Sequence, residues 1–136
     1  MKKLLLSTLL LSSTIFANEG YEVYKKNCKT CHVEMMTREY ALKNLKDLKA
    51  PPMVEVSARL KENIKTTDEE DDVDRHLFIL FVKDYIMHPD LEFSMCHTGA
   101  LEKFGTMPSM KNKITQKEAK EVAIWLYDRY EDIEFK

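Results

Sequence analysis

The sequence is poor in glycine and proline, with three Gly and four Pro among its 136 residues. That scarcity excludes a collagen-like chain and a Gly- or Pro-rich linker. Charged residues make up 32% of the chain and hydrophobic residues 44%, a balance typical of one globular domain with a modest core. The sequence contains no internal repeat and no low-complexity tract.

Long hydrophobic runs are also scarce, and the one such run lies at the beginning of the chain. The first residues are basic, residues 4–16 are apolar, and Ala17 is a small residue suited to cleavage. This arrangement predicts a secretory signal peptide over 1–17 and a mature domain over 18–136. The apolar run is shorter than the roughly 20 residues of a membrane span. Because Ile15 stands where a small residue is usual, an uncleaved anchor is the alternative.

Neither sign of charge is in large excess. Without Lys2 and Lys3 the mature chain carries 19 basic and 23 acidic residues, a formal charge of −4. Nucleic-acid binding requires a basic surface to neutralise phosphates. We therefore expect no nucleic-acid partner.

Cysteine is rare, and two of the three cysteines belong to one motif. Cys28, Cys31 and His32 form the pattern C-x-x-C-H, which signals covalent attachment of a c-type haem. Residues three apart share a helix face, so both sulfurs can reach the vinyl groups of one porphyrin. A neutral imidazole is the usual proximal iron ligand. The motif therefore predicts one covalent haem c, with His32 bound to the iron.

Other chemistries also use a C-x-x-C pair. A thioredoxin-like redox pair needs a βαβ context, which the sequence does not show. A tetrahedral zinc site needs a second ligand pair, and Cys96 with His97 could supply it, although adjacent residues chelate poorly. The stretch 93–97 also resembles a haem motif without its first cysteine, so a second haem is a minor alternative. We expect Cys96 to be a buried small hydrophobic residue instead.

Periodic apolar residues predict an all-α fold. Helices are expected over 19–31 with Asn18 as N-cap, over 54–65, from Thr67 to just before Pro89, over 98–103, and from Thr115 onward. Leu42, Leu45 and Leu48 predict a further helical stripe. The long middle helix is expected to have an apolar face made of Val73, Leu77, Leu80, Phe81 and Tyr85, widened by Ile79, Val82 and Ile86. The last helix begins with a capping box, Thr115 and Glu118, and its expected buried stripe is Ala119, Val122, Ala123, Leu126 and Tyr130.

The first predicted helix resembles the N-terminal helix of class I c-type cytochromes. Gly20, Tyr24 and Cys28 recur every fourth residue and lead into the C-x-x-C-H motif. The resemblance implies the cytochrome c fold, in which the N- and C-terminal helices cross at the glycine and helices and loops enclose the haem. We therefore expect Trp125 or Leu126 to pack against Gly20 and Tyr24.

The resemblance also implies the remaining site residues. In that family a proline carbonyl accepts a hydrogen bond from the proximal histidine, and Pro51 or Pro52 could fill this role. A Met-Pro dipeptide before the last helix is the family's distal-ligand signal, which Met107 matches. Proline forces Met107 into an extended segment, and Gly105 lets the backbone approach the haem closely.

Other side chains compete with Met107 for the distal position. The chain has eight methionines, and Met53 and Met110 are the main alternatives. A histidine ligand would give a bis-histidine haem of lower potential, and His97 is the least easily dismissed candidate.

A haem with His and Met ligands has no open coordination position, so it exchanges electrons and does little bond chemistry. The resemblance implies a periplasmic electron carrier, not an enzyme, and we expect a monomer. Its redox partners would be membrane complexes, a terminal oxidase or a soluble dehydrogenase. The alternative is a displaceable distal ligand that lets small ligands or peroxide reach the iron for sensing or catalysis.

Lysines occur beside both halves of the predicted haem site. They are Lys25, Lys26 and Lys29 on the first helix, and Lys103, Lys111 and Lys113 around the Met107 loop. A lysine rim would steer an acidic partner despite the negative total charge. Ordinary solvated lysines are the alternative.

Overall fold

The computed structural model describes residues 12–67 and 71–136. Within these ranges the chain is helical and contains no strand, which confirms the predicted all-α class. The helices are α1 (Ser12–Asn27), α2 (Arg38–Lys43), a short 3-10 helix (Leu45–Asp47), α3 (Met53–Asn63), α4 (Asp71–Tyr85), α5 (Thr98–Phe104) and α6 (Gln116–Arg129). No helix in the described part of the chain is both long and apolar enough to cross a membrane.

Helices α1 and α6 form the most extensive helix pair, and they meet at Gly20. A Cβ atom on Gly20 would overlap the Glu121 carbonyl oxygen and lie 2.5 Å from the Trp125 Cβ. One turn further along α1, the Tyr24 ring stacks on Trp125 with their centroids 4.6 Å apart. The expected contact of Trp125 with Gly20 and Tyr24 is therefore confirmed.

Helix α6 begins at the predicted capping box. The Glu118 amide donates to the Thr115 hydroxyl at 3.1 Å, and the Glu118 carboxylate accepts from the Thr115 amide at 2.8 Å. This backbone hydrogen bond and a second one from the Thr115 hydroxyl lower the pKa of the Glu118 carboxyl. The predicted buried stripe of α6 is also confirmed; its residues are Ala119, Val122, Ala123, Leu126 and Tyr130.

Helices α3 and α4 hold the carboxyl end of α6. The buried Ser57 hydroxyl donates to the Leu126 carbonyl at 3.0 Å, and the Lys61 ammonium donates to the Tyr127 carbonyl at 2.8 Å. The last carbonyls of a helix lack partners within the helix, so these donors satisfy them. Arg75 joins α4 to the same end of α6 by two hydrogen bonds to Asp128, each 2.9 Å long.

The predicted apolar face of α4 is only partly confirmed. Ile79 and Val82 are buried as expected, but Phe78, which was not predicted, is fully buried, whereas Leu77 and Leu80 are 40% and 47% exposed. Apolar residues occur all round this helix, so its periodicity alone could not select a face. Packing against α6 makes the selection.

Predictions for helix boundaries and for the segment after the motif are also partly wrong. Asn18 lies inside α1 and is not its N-cap. Leu42, Leu45 and Leu48 do not share one helix, because α2 ends at Lys43 and a separate 3-10 helix follows; Leu42 and Leu45 are 64% and 40% exposed. The predicted start of the long middle helix at Thr67 adjoins residues 68–70, which lie outside the described part of the chain.

We expect Gly20→Ala to destabilise the protein by about 3 kcal/mol, because the added methyl group meets helix backbone that cannot move aside. Chemical unfolding measures this difference. Gly99→Ala is the matched control, since a Cβ there meets nothing within 4 Å, and its effect should stay within about 1 kcal/mol. Equal effects of the two substitutions would contradict a close crossing at Gly20.

Candidate functional site

The C-x-x-C-H motif occupies a turn that directly follows α1. The Cys31 and His32 amides both donate to the Cys28 carbonyl, at 3.1 and 2.9 Å. The α-helix ends at Asn27, earlier than predicted. The two hydrogen bonds nevertheless hold residues 28–32 in a single turn that resembles a turn of helix. Both cysteines are free thiols; Cys28 packs partly against the core and Cys31 is exposed.

The Cys28 thiol does not have the properties of a reactive redox cysteine. Burial, and to a smaller extent the charge of Cys31, raises the pKa of the Cys28 thiol to about 11. Thioredoxin-like chemistry needs a cysteine whose pKa is lowered, so that a thiolate forms near neutral pH. The surroundings of Cys28 therefore disfavour that alternative.

The His32 imidazole is held by the first of the two candidate prolines. Its Nδ1 lies 2.7 Å from the Pro51 carbonyl oxygen. The Pro52 carbonyl instead accepts from the Val56 amide in the first turn of α3. Burial lowers the pKa of His32, although its hydrogen bond to Pro51 acts in the opposite direction. A neutral ring that donates from Nδ1 keeps its Nε2 lone pair for a metal ligand bond.

Residues 32–34, here called the strap, are bound to the protein at every carbonyl. The His32 carbonyl accepts from the Tyr24 hydroxyl at 2.9 Å. The Val33 carbonyl accepts from the Met53 amide at 2.7 Å. The Glu34 carbonyl accepts from the Tyr130 hydroxyl, also at 2.7 Å. The donors thus come from α1, α3 and the end of α6.

The Glu34 side chain is anchored as well. Its carboxylate accepts from Arg129 Nε at 3.1 Å and from the Tyr21 hydroxyl at 3.4 Å. Sequence reasoning missed Glu34 and Tyr130 as site residues, because neither belongs to a recognisable motif. They are 96 residues apart and meet only when α6 packs on α1.

The loop that contains Met107 is fixed on one side by its backbone. The Met110 amide donates to the Ile86 carbonyl at 2.9 Å, and the Ser109 hydroxyl donates to the Met87 carbonyl. Gly105 ends α5 with a φ of 67°, a backbone conformation that favours glycine. Between these points Met107 is half-buried and packs against the core.

The competing methionines lie deeper in the protein than Met107. Met53 and Met110 are each 6% exposed and belong to the hydrophobic core. Their side chains already fill core volume, whereas Met107 packs only at its margin. The degree of burial therefore favours Met107 over Met53 and Met110 as the candidate iron ligand.

The expectation for Cys96 is wrong, because its thiol is exposed. The preceding residue packs against the core instead: the Met95 side chain contacts it, and the Met95 carbonyl accepts from Arg59 and Asn63 at 3.3 and 3.1 Å. His97 is exposed at the N-cap of α5. Among the described residues, no three His, Cys, Asp or Glu side chains group closely enough to hold a metal ion, as the zinc alternative requires.

The free energy of unfolding should depend on pH through the ionisation of the buried Tyr24 hydroxyl. Burial is the main cause that raises the pKa of Tyr24 to about 12, so the folded protein holds this proton more tightly than the unfolded chain does. The resulting stabilisation is complete below about pH 10 and is lost as the pH rises through 12. We expect the stability difference between wild type and Tyr24→Phe to narrow between about pH 10 and 12 in urea unfolding. A constant difference would contradict the raised pKa.

The chain is similar to an uncharacterized protein of Aquifex aeolicus (strain VF5). The two sequences are 40% identical over an alignment of 146 positions, gaps included, which covers 97% of this chain and 90% of the relative. No family model matches the chain, and no solved structure matches it. Because the identity extends over nearly the whole of both sequences, the chain belongs to the same family as the Aquifex aeolicus protein.

Proposed function

We propose that the protein is a periplasmic monohaem c-type cytochrome that carries single electrons between respiratory redox partners. The observation that carries the proposal is the 2.7 Å contact between His32 Nδ1 and the Pro51 carbonyl, directly after the two cysteines of the motif. Such a hydrogen bond fixes the orientation of a metal-bound imidazole and raises its basicity.

The residues present fit a covalent haem c. Cys28 and Cys31 are free thiols, so both are available for thioether bonds. His32 would hold the iron through Nε2, and Met107 would hold it through its thioether sulfur. A haem held in this way would supply reversible one-electron transfer at its iron. The protein's own contribution is to orient the His32 ring through the Pro51 carbonyl and to fix the loop of Met107 at its two ends.

The helix arrangement supports a cytochrome c fold. In class I cytochromes, which the motif resembles, the terminal helices cross at a glycine close to the haem motif. Here α1 and α6 cross at Gly20, and the C-x-x-C-H motif follows at the end of α1. We propose export to the periplasm from the sequence of residues 1–17 alone, which have the order of a signal peptide.

The spectrum of the oxidised protein tests the function directly. We expect a pyridine haemochrome spectrum typical of two thioethers, and a methionine–iron charge-transfer band that disappears in Met107→Ala. Met35→Ala is the matched control, because Met35 is 45% exposed and should leave the band intact. A colourless wild type would refute the cytochrome assignment. A high-spin ferric wild type would instead favour the ligand-binding alternative.

The lysines suggest how an acidic partner would be recognised. Lys25 is paired with Glu22 at 2.6 Å and also lies over the Tyr21 ring, so much of its charge is already compensated. Lys26 and Lys111 are exposed, one on α1 and one beside the Met107 loop. These two are therefore the better probes of a lysine rim.

Oxidation of the reduced protein by ferricyanide, an anionic oxidant, measures this steering. The double variant Lys26→Glu with Lys111→Glu should react roughly tenfold more slowly at low ionic strength and show a flatter salt dependence. The control replaces Lys65 and Lys120, two exposed lysines elsewhere, with Glu. If both double variants slow equally, only net charge matters and the lysine rim is wrong.

A further inference from the structure

We propose that Tyr24 and Tyr130 are positioning residues whose hydroxyls hold the strap, residues 32–34, and through it the His32 imidazole. This inference rests on the proposed function, since it assigns these two side chains the task of orienting the proximal ligand. Neither tyrosine contacts the iron-binding atom itself. Both act on the backbone that carries it.

The strap carries a high density of hydrogen bonds. Three consecutive carbonyls accept from three separate elements, with donor–acceptor distances of 2.7 to 2.9 Å. A peptide plane whose carbonyl is held cannot rotate without breaking that bond. The backbone on the C-terminal side of His32 is thus fixed over three successive peptide groups.

One short segment, residues 51–53, holds both the His32 ring and the strap. The Pro51 carbonyl accepts from His32 Nδ1, and two residues later the Met53 amide donates to the Val33 carbonyl. A shift of the strap relative to residues 51–53 would strain both bonds together. The ring orientation therefore depends on where the strap is held.

The side chains of Tyr24 and Tyr130 are held rigidly by the core. Tyr24 and Tyr130 are 0% and 1% exposed. Tyr24 stacks on Trp125, and Tyr130 meets the same indole edge-on with centroids 6.0 Å apart. Packing on one indole fixes where both hydroxyls point. A contiguous set of contacts thus leads from Gly20 through Trp125 to the strap.

The two hydroxyls can be removed without dismantling the site. The Glu34 carboxylate keeps its contacts with Arg129 and Tyr21 when the Tyr130 hydroxyl is absent. Tyr130→Phe retains the ring that packs on Trp125 and deletes only the donor to the Glu34 carbonyl. The expected effect is therefore a local loosening of the strap.

Amide hydrogen exchange, measured by NMR on the full-length purified protein, reports that loosening. In Tyr130→Phe, the Met53 amide should exchange about tenfold faster than in wild type, and the His32 Nδ1 proton should also exchange faster. The amides of Phe78 and Val82 in α4 should change less than about twofold. Tyr40→Phe is the matched control, because Tyr40 is 58% exposed and far less constrained.

Each outcome has a distinct meaning. A uniform acceleration of all amides, or unchanged exchange at Met53 and His32, would overturn the positioning role. If Tyr130→Phe does not fold, Tyr24→Phe applies the same test at the other end of the strap, with the same amides observed. A colourless protein would refute the cytochrome assignment, whereas the Met53 exchange would still test the strap, because all its donors and acceptors are protein atoms.

Discussion

The structure depends on the backbone contact between α1 and α6 at Gly20. The absence of a side chain lets the Glu121 carbonyl and Trp125 approach α1 more closely than any Cβ would permit. That approach brings the indole onto the Tyr24 ring, and the Tyr24 hydroxyl in turn donates to the His32 carbonyl. A short-range steric condition at one residue is thus connected by direct contacts to the motif that follows.

The candidate site brings together residues that are far apart in the sequence, although its C-x-x-C-H motif is one continuous stretch. Cys28, Cys31 and His32 are neighbours in the chain, but their orientation relies on donors and acceptors from α1, the start of α3 and the end of α6. The site geometry therefore requires these helices to be docked. This coupling protects the His32 imidazole against small local motions, because several hydrogen bonds together hold the orientation of its ring and backbone.

The two sides of the proposed haem site differ in how they are held. The proximal side is bound through side-chain hydroxyls, a carbonyl and an amide that converge on residues 32–34. The distal loop is anchored by Gly105 before Met107 and by Ser109 and Met110 after it. The segment that carries His32 is therefore held by more hydrogen bonds than the loop that carries Met107.

Local sequence patterns were sufficient to predict a structural feature wherever its cause lies within a few residues of the chain. The C-x-x-C-H motif, the capping box of Thr115 and Glu118, and the buried stripe of α6 could all be read directly, because covalent spacing and helix periodicity produce them. These features need no knowledge of the neighbouring helices. The close contact at Gly20, by contrast, was predicted only through the resemblance to the class I cytochrome helix, because it joins α1 to the distant α6.

Tertiary packing alone decided the rest. Which side of α4 is buried, why Cys96 is exposed while Met95 packs inward, and that Tyr130 reaches the Glu34 carbonyl all depend on which surfaces meet. A helix with apolar residues on every side has no preferred face until a partner covers one of them. A hydroxyl likewise has no assigned acceptor until folding brings a distant carbonyl within hydrogen-bond distance.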